Sequence, residues 1–317
     1  MSQLTENVET TVTPDITNNK KNRHKKDYSE KRLGYLMVAP ALIIIILIAV
    51  YPIIKTFWNS FFDMQLQNPD ATKFIGAKNY IKMLADPVIW QSLWNTFYFT
   101  FFSVIIELAL GFVLALIMNS NFRGKGIVRT SILIPWAIPG IIVALMWQFM
   151  FNDKLGVINE ILMNLHIIKT PIVWLGTKGY AMWAVIIADV WKQLPFMALM
   201  LLAGLQIVPE ELYEAADVDG ASYFGKFWRI TLPYIKNVVI VVLLFRIIGA
   251  LRIFDTIYGM TAGGPGNSTV SIIMYAYKQL FNNLDIGYGS AVAMLSFVLI
   301  FILCLAYLKL LGSKNED

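Results

Sequence analysis

Cysteine and histidine are nearly missing from this chain: of 317 residues, one is cysteine, Cys304, and two are histidine, His24 and His166. A lone thiol inside an apolar run excludes a disulfide framework, and two imidazoles far apart in sequence exclude a Cys/His metal cluster or a His-based catalytic centre. No metal, cofactor or catalytic residue is therefore expected. Charge is scarce as well. Asp, Glu, Lys and Arg make up 15% of the residues, against about a quarter in a soluble domain whose surface must be wetted, while hydrophobic residues reach 57% and mean hydropathy is +0.60. These values exclude a soluble globular domain and describe an integral membrane protein. The net charge of +5 and the pI near 9.1 are no nucleic-acid signature, because the cations gather beside apolar runs, where membrane topology accounts for them. Also lacking is a phosphate-cradling G-x-x-x-x-G-K-[ST] loop. GGPGNST at 263–269 has no lysine, and RGKG at 123–126 has neither the glycine spacing nor the hydroxyl residue. The chain carries no nucleotide site of its own, and GGPGNST reads as a turn capping the fifth span.

What is present is a series of long apolar runs. Residues 1–33 contain none and carry seven Lys and Arg, so they are expected to form a basic, partly disordered tail. Tyr35–Ile54 then matches the roughly 20 residues that cross a bilayer, and it starts too late and runs too long for a cleaved signal. Phe97–Met118, Ser131–Phe151, Ala181–Leu205, Asn237–Tyr258 and Gly289–Leu310 follow, giving six spans. With the tail inside, the inner segments hold 14 Lys and Arg and the outer ones 7 over a similar length, so both termini are placed in the cytoplasm. The outer segment around FIGAKNYIKMLADPVIWQSLWNT brings Trp90 and Trp94, suited to an interfacial belt. Pro135 and Pro139 interrupt the third span and Pro195 the fourth. Such prolines suit either plain packing kinks or helices bent around a route through the bilayer. No internal repeat is evident.

One stretch departs from the apolar pattern. EAADVDGASYFGKFWRITLP, Glu214–Pro233, lies after four crossings and so on the cytoplasmic face. On a helix starting near Glu210, the residues Tyr213, Ala216, Gly220, Phe224 and Phe227 form an apolar stripe beside an acidic one of Glu210, Glu214 and Asp217. Gly220 would allow close approach of a neighbour or a break into two short helices, and Pro233 suits the first turn of the fifth span. An interfacial helix on lipid is one reading. Anionic lipid would repel the acidic face, whereas a groove in a partner protein suits it.

Glu214-Ala215-Ala216, three residues, Gly220, nine residues, Ile230, one residue, Leu232-Pro233 resembles the EAA loop of the membrane subunits of binding-protein-dependent ABC importers. FIGAKNYIKML, NTFYFT, ILIPWAIPG, DVWKQLPFMALMLLAGLQIVPEELYEAA and TAGGPGNST resemble the carbohydrate-importing group, over about residues 75–310. GGPG is similar to the maltose-type first permease. The resemblance implies an all-α integral membrane protein with six transmembrane helices and the type I ABC importer permease fold. It implies a tail at 1–33, a first span and outer segment at 34–90, a core permease domain at 91–310 with a coupling loop at 206–233, and a cytoplasmic tail at 311–317. Glu214, Ala215, Ala216, Asp219, Gly220, Ile230, Leu232 and Pro233 would then couple to a cytoplasmic ATPase. The implied partners are an ABC ATPase dimer, a second related permease, an extracytoplasmic solute-binding protein, membrane lipid and a carbohydrate substrate, in a bacterial or archaeal cell membrane.

Charges inside spans cost roughly 2.5–3.5 kcal/mol each on insertion scales, so each requires a partner or a cavity. Glu107, Asp189, Lys192, Arg246, Arg252 and Asp255 are of this kind. Asp189 with Lys192, and Arg252 with Asp255, stand one turn apart and can neutralise each other, and Glu107 would neutralise one of the arginines. They can also line a route, where sugar hydroxyls need hydrogen bonds and pyranose faces need aromatic rings. The resemblance places the solute pathway at Asp189, Lys192, Gln193, Phe196, Arg246, Gly249, Ala250 and Ile253. The leading reading is the permease subunit of an ATP-driven sugar importer, with no enzymatic activity of its own. A secondary transporter using Asp189 and Lys192 as proton carriers is the alternative, and the acidic cytoplasmic loop disfavours it.

Overall fold

The computed structural model describes residues 33–120 and 123–312. The basic tail expected at 1–33 lies almost entirely outside the described residues, as does most of the tail expected at 311–317. The chain divides into two compact units, 1–55 and 56–317. The first unit contains most of helix α1 (Leu33–Asn59), whose hydropathy and length suffice to cross a membrane.

The second unit opens with a two-stranded antiparallel ribbon, β1 (Phe62–Asp63) with β2 (Lys73–Phe74), registered Phe62 to Phe74. Helix α2 (Lys78–Ala85) leads to α3 (Pro87–Asn119). Asp86 sets that start: its carboxylate accepts from the Val88 amide at 2.9 Å, and Pro87 occupies the first turn, where a missing N–H leaves nothing unsatisfied. Then come α4 (Lys125–Ala137), α5 (Gly140–Met150) and the short α6 (Val157–Asn164), followed by α7 (Tyr180–Leu205). The acidic segment that resembles the EAA loop forms α8 (Glu210–Val218) and α9 (Tyr223–Tyr234), and α10 (Lys236–Leu251) and α11 (Asp255–Thr261) follow. Helix α12 (Ile272–Tyr277) and a π-helical turn at Lys278–Asn282 precede α13 (Ile286–Gly312).

Among the described residues, four helices are long and apolar enough to span a membrane, and six spans result when each of two bent pairs counts as one. The first pair, α4 with α5, bends by 92° at Ile138–Pro139, where Pro139 cannot donate to the α4 carbonyls. The second, α9 with α10, bends by 75° at Ile235. Pro233 therefore stands at the end of α9, just ahead of the bend, and not in the first turn of α10. Pro135 lies within the unbroken α4 and Pro195 within the unbroken α7, contrary to the expected interruptions. The fifth apolar run, expected to be continuous from Asn237 to Tyr258, breaks after Leu251 and resumes as α11 at Asp255. Irregular backbone at that depth is tolerated where it lines a cavity.

Two apolar cores form around α3 and α7, which pack along each other. One gathers Phe99, Val104, Val185, Ile186, Val190, Ala250, Ile257 and Tyr288. The other gathers Ala115, Met118, Met197, Leu201, Leu205, Ile235, Val239 and Val242. On α3 and α10, Glu107 and Arg246 fall where one core gives way to the other, and on α7 the change comes just after Asp189, between Trp191 and Met197. The polar residues thus sit in a layer between two hydrophobic ones.

Candidate functional site: a polar cavity and a coupling knob

Three charged side chains from three helices meet in that layer. Glu107 on α3 is fully buried; its Oε2 accepts from Arg246 Nε and its Oε1 from Arg246 Nη2 at 2.7 Å. Asp189 on α7, also buried, accepts from the same Nη2 at 2.5 Å, and Ser103 Oγ accepts at 3.4 Å. A guanidinium with five donors in a fixed fork can satisfy two carboxylates at once, which an ammonium cannot do with the same geometry. The local pairing proposed from spacing is corrected here: Asp189 pairs across helices with Arg246, not along its own helix with Lys192. Nor, among the described residues, does an ion pair join Arg252 to Asp255. The expected neutralisation of an arginine by Glu107 is what the geometry shows.

Beside the triad lies a cavity of about 150 Å³. From α7 it receives Asp189, Lys192 and Gln193; from α10, Arg246 and Gly249; from the break and α11, Arg252, Ile253, Phe254, Asp255 and Thr256. Gly140, the first residue of α5, closes it, and a Cβ there would stand 2.5 Å from Asp255 Oδ2. Among the described residues nothing accepts from Arg246 Nη1, which lies on the Gly249 side of the cavity, so a donor remains for an incoming group. Six of the eight pathway residues therefore gather at one place. Ala250 is fully buried beneath the wall, and Phe196 stacks on Trp136 with ring centroids 5.7 Å apart. Arg252, Asp255, Phe254, Thr256 and Gly140 were not assigned to the pathway from sequence. The two charges had already been singled out by their cost inside a span, but the chain break that turns them inward carries no proline or glycine at 252–254 to announce it.

A larger cavity of about 570 Å³ lies between α3, α10 and α13, lined by Phe97, Phe101, Val104, Leu251, Leu299 and Leu303 among others. Its wall is almost wholly hydrocarbon, so it offers sugar hydroxyls little to bind.

At the far end of α3 the segment expected to couple to an ATPase forms a helical hairpin. Helix α8 starts with Glu210 and Glu211 in its first turn, where acidic groups suit the helix dipole. It ends at Asp219–Gly220, and Gly220 adopts φ +71°, a left-handed conformation natural to glycine. Ser222 then caps α9 by accepting from the Gly225 amide at 3.2 Å. Tyr213 and Thr231 share a hydroxyl hydrogen bond of 2.8 Å, Ala216 is buried, and Phe227 packs edge-on against Phe112 of α3 at 5.3 Å. The apolar stripe does not continue through Phe224, because the turn at Gly220 rotates it outward. Phe224, Tyr223 (91% exposed) and Val218 (89% exposed) form a bare tip beside Glu214.

Residues 107–312 match the family described as binding-protein-dependent transport system inner membrane component. The chain belongs to that family. The permease is 46% identical, over 92% of its own length and 98% of the relative's, to the trehalose/maltose transport system permease protein MalF of Thermococcus litoralis. It is 41% identical to the sulfoquinovosyl glycerol transport system permease protein SmoG of Agrobacterium fabrum, over 91% and 93%. In three dimensions it is similar to a chain of a bacterial ABC transporter involved in the import of the acidic polysaccharide alginate, with TM-score 0.78, 22% identity and coverage of 93% and 100%. The permease has the type I ABC importer fold and is a transport component, not an enzyme. Membership of this family also decides between the two transport classes: the chain is an importer permease, not a self-contained secondary transporter.

Proposed function

We propose that this permease provides half of a pathway for an uncharged di- or oligosaccharide, pairs with a second related permease, and receives force from an ABC ATPase dimer through the α8–α9 hairpin. The observation that carries this reading is the polar cavity held between two apolar cores. Its lining and the group behind it contain three acids, Glu107, Asp189 and Asp255, and three bases, Lys192, Arg246 and Arg252. Such a set supplies many hydrogen-bond donors and acceptors with no net charge, which suits a neutral polyhydroxylated solute. The relative named for trehalose and maltose supports the substrate class.

About 150 Å³ is small beside the roughly 300–1,000 Å³ of ordinary ligand pockets, so one chain encloses about one sugar ring and the partner permease completes the passage. An extracytoplasmic binding protein delivers the solute, as the family's description implies. The excess of Lys and Arg in the inner segments supports cytoplasmic termini and a cytoplasmic hairpin. The bare, acidic, aromatic tip supports insertion of that hairpin into a cleft of the ATPase. Membrane lipid surrounds the exposed apolar faces.

Solubilised and affinity-purified from its own membrane, the chain is expected to bring with it an ATPase and a second permease. In proteoliposomes the complex should take up trehalose or maltose only with ATP and binding protein. Uptake driven by an ion gradient without ATP, or purification free of any ATPase, would overturn the reading.

A further inference from the structure

Four aromatic rings lead from the polar cavity to the surface. Phe254 lines the cavity and stacks on Tyr258, centroids 5.3 Å apart and planes 22° apart. Both touch Tyr277, at 4.9 Å and 5.5 Å. Tyr277 in turn meets Phe281 at 4.9 Å. The positions are paired by helical spacing: Tyr258 stands four residues after Phe254 through α11, and Phe281 four after Tyr277 through the π-helical turn. None of the four is buried: Phe254 and Tyr277 are half-buried, Tyr258 is 43% exposed and Phe281, at the outer end, 64%.

Their location is fixed by contacts with α3. Asn95, near its start, donates to the carbonyls of Asn267 and Val270 at 2.9 and 3.0 Å, which ties the 262–270 loop between the two ring pairs to that end. Phe112, which holds the coupling hairpin, lies 17 residues on, or about 25 Å along the helix. The rings therefore face the side opposite the hairpin, from which an imported solute must arrive.

We propose that Phe254, Tyr258, Tyr277 and Phe281 form an aromatic track that accepts pyranose rings one after another and feeds a linear oligosaccharide into the polar cavity. This rests on the reading of that cavity as the solute route. The chemistry is suited to movement. A pyranose presents a face of C–H groups that stacks on an aromatic ring, and each stack is weak enough to be exchanged for the next. The Tyr258 and Tyr277 hydroxyls add hydrogen-bond partners for sugar hydroxyls as the chain advances. Continuity with the cavity through Phe254 distinguishes the track from an interfacial belt such as that of Trp90 and Trp94, which do not line that cavity.

The test uses the reconstituted importer with saturating binding protein, and maltose and maltopentaose as probes. Tyr277→Ala and Phe281→Ala should lower uptake of maltopentaose roughly three- to tenfold and that of maltose less than twofold. Binding-protein-stimulated ATP hydrolysis should persist, so the sugar carried per ATP falls. Tyr277→Phe and Phe281→Trp should restore it. Equal losses for both sugars, or no loss for either, would overturn the track, the second result marking the rings as lipid-facing. Loss of copurification with the second permease would also overturn it, by showing a subunit interface. If the unaltered complex moves neither sugar, or if Lys192→Met and Arg246→Gln leave uptake intact, the underlying reading of the cavity fails, and the track with it.

Discussion

Glu107 holds Arg246 along one whole edge, Oε2 against Nε and Oε1 against Nη2, and leaves Nη1 turned to the Gly249 side of the cavity. Removing one partner of a buried ion pair leaves the other charge unpaired, at a cost of about 3–5 kcal/mol. Glu107→Ala is therefore expected to lower the melting temperature of the detergent-purified complex and to depress uptake, and Glu107→Gln, which keeps an acceptor for the guanidinium, to do less of both. Arg246→Ala should be the worst of the set, because it leaves Glu107 and Asp189 buried with no cation between them. Melting curves for the three variants check the order.

The coupling hairpin makes a separate claim. Gly220 has open space around it but a φ of +71°, so any side chain is strained there and projects beside the bare tip of Val218, Tyr223 and Phe224. Gly220→Trp should abolish ATP-dependent transport and binding-protein-stimulated hydrolysis while the binding protein still docks. Tyr223→Ser should weaken recovery of the ATPase with the permease by tenfold or more, as expected for an exposed aromatic anchor that is buried only in the complex. Pull-down and hydrolysis assays separate the two effects.

At the opposite end, Asp86 Oδ2 accepts from the hydroxyls of Tyr275 and Tyr288, both at 2.6 Å, while Oδ1 caps α3. Burial alone would raise the Asp86 pKa, but the hydrogen bonds from Tyr275, Tyr288 and the amides outweigh it and hold the carboxyl below its usual 3.8. A folded-state pKa below the unfolded one gives stability that is complete above about pH 4 and is lost as pH falls through the depressed value. Asp86→Asn should thus melt below the unaltered protein at pH 6 and converge with it as the pH drops under 3.8. Melting curves at pH 6, 4 and 3 are the check.

The apolar helices, the break at Gly220 and the residues of the charged cluster were legible in the sequence, because apolar length, glycine and proline position and charge cost in hydrocarbon are local properties. Pro139 broke its span as expected, whereas Pro195 did not, since a continuous helix can absorb one missing N–H when neighbours hold it on both sides. What spacing could not give was which charge faces which. Asp189 and Lys192 are neighbours on one helix, yet Arg246 reaches Asp189 from another, and only the packing of α3, α7 and α10 decides that. The break at 252–254 was equally hidden. Its cause is tertiary: Asp255 seats against Gly140, and a helix continued straight from Leu251 would carry that carboxylate elsewhere.

Close approach of α5 and α11 depends on Gly259, where a Cβ would come within 2.5 Å of Ala144 Cβ and 3.0 Å of Ile141 Cδ1. Small residues at such crossings let backbones meet in a membrane, where packing drives association. Gly259→Ala should destabilise the permease by roughly 1–3 kcal/mol through overpacking, and Gly259→Leu should prevent stable insertion. Because α11 carries Asp255, Phe254 precedes it and Tyr258 lies within it, uptake by Gly259→Ala should fall even in the fraction that folds. Size-exclusion profiles with uptake per folded complex measure both effects.

Balanced charge around the cavity predicts opposite shifts in selectivity for two single changes. Lys192→Met removes a cation from the lining and should disfavour an anionic sugar relative to a neutral one, whereas Asp255→Asn removes an anion and should favour it. A single charge in a partly dehydrated site is expected to change the uptake ratio on the order of tenfold. Competition between maltose and an oligosaccharide of uronic acids, measured at matched binding-protein occupancy, reads this ratio directly. Shifts of the same sign in both variants would mean that the two residues act on the fold and not on the passing solute, since only an electrostatic role requires the signs to differ.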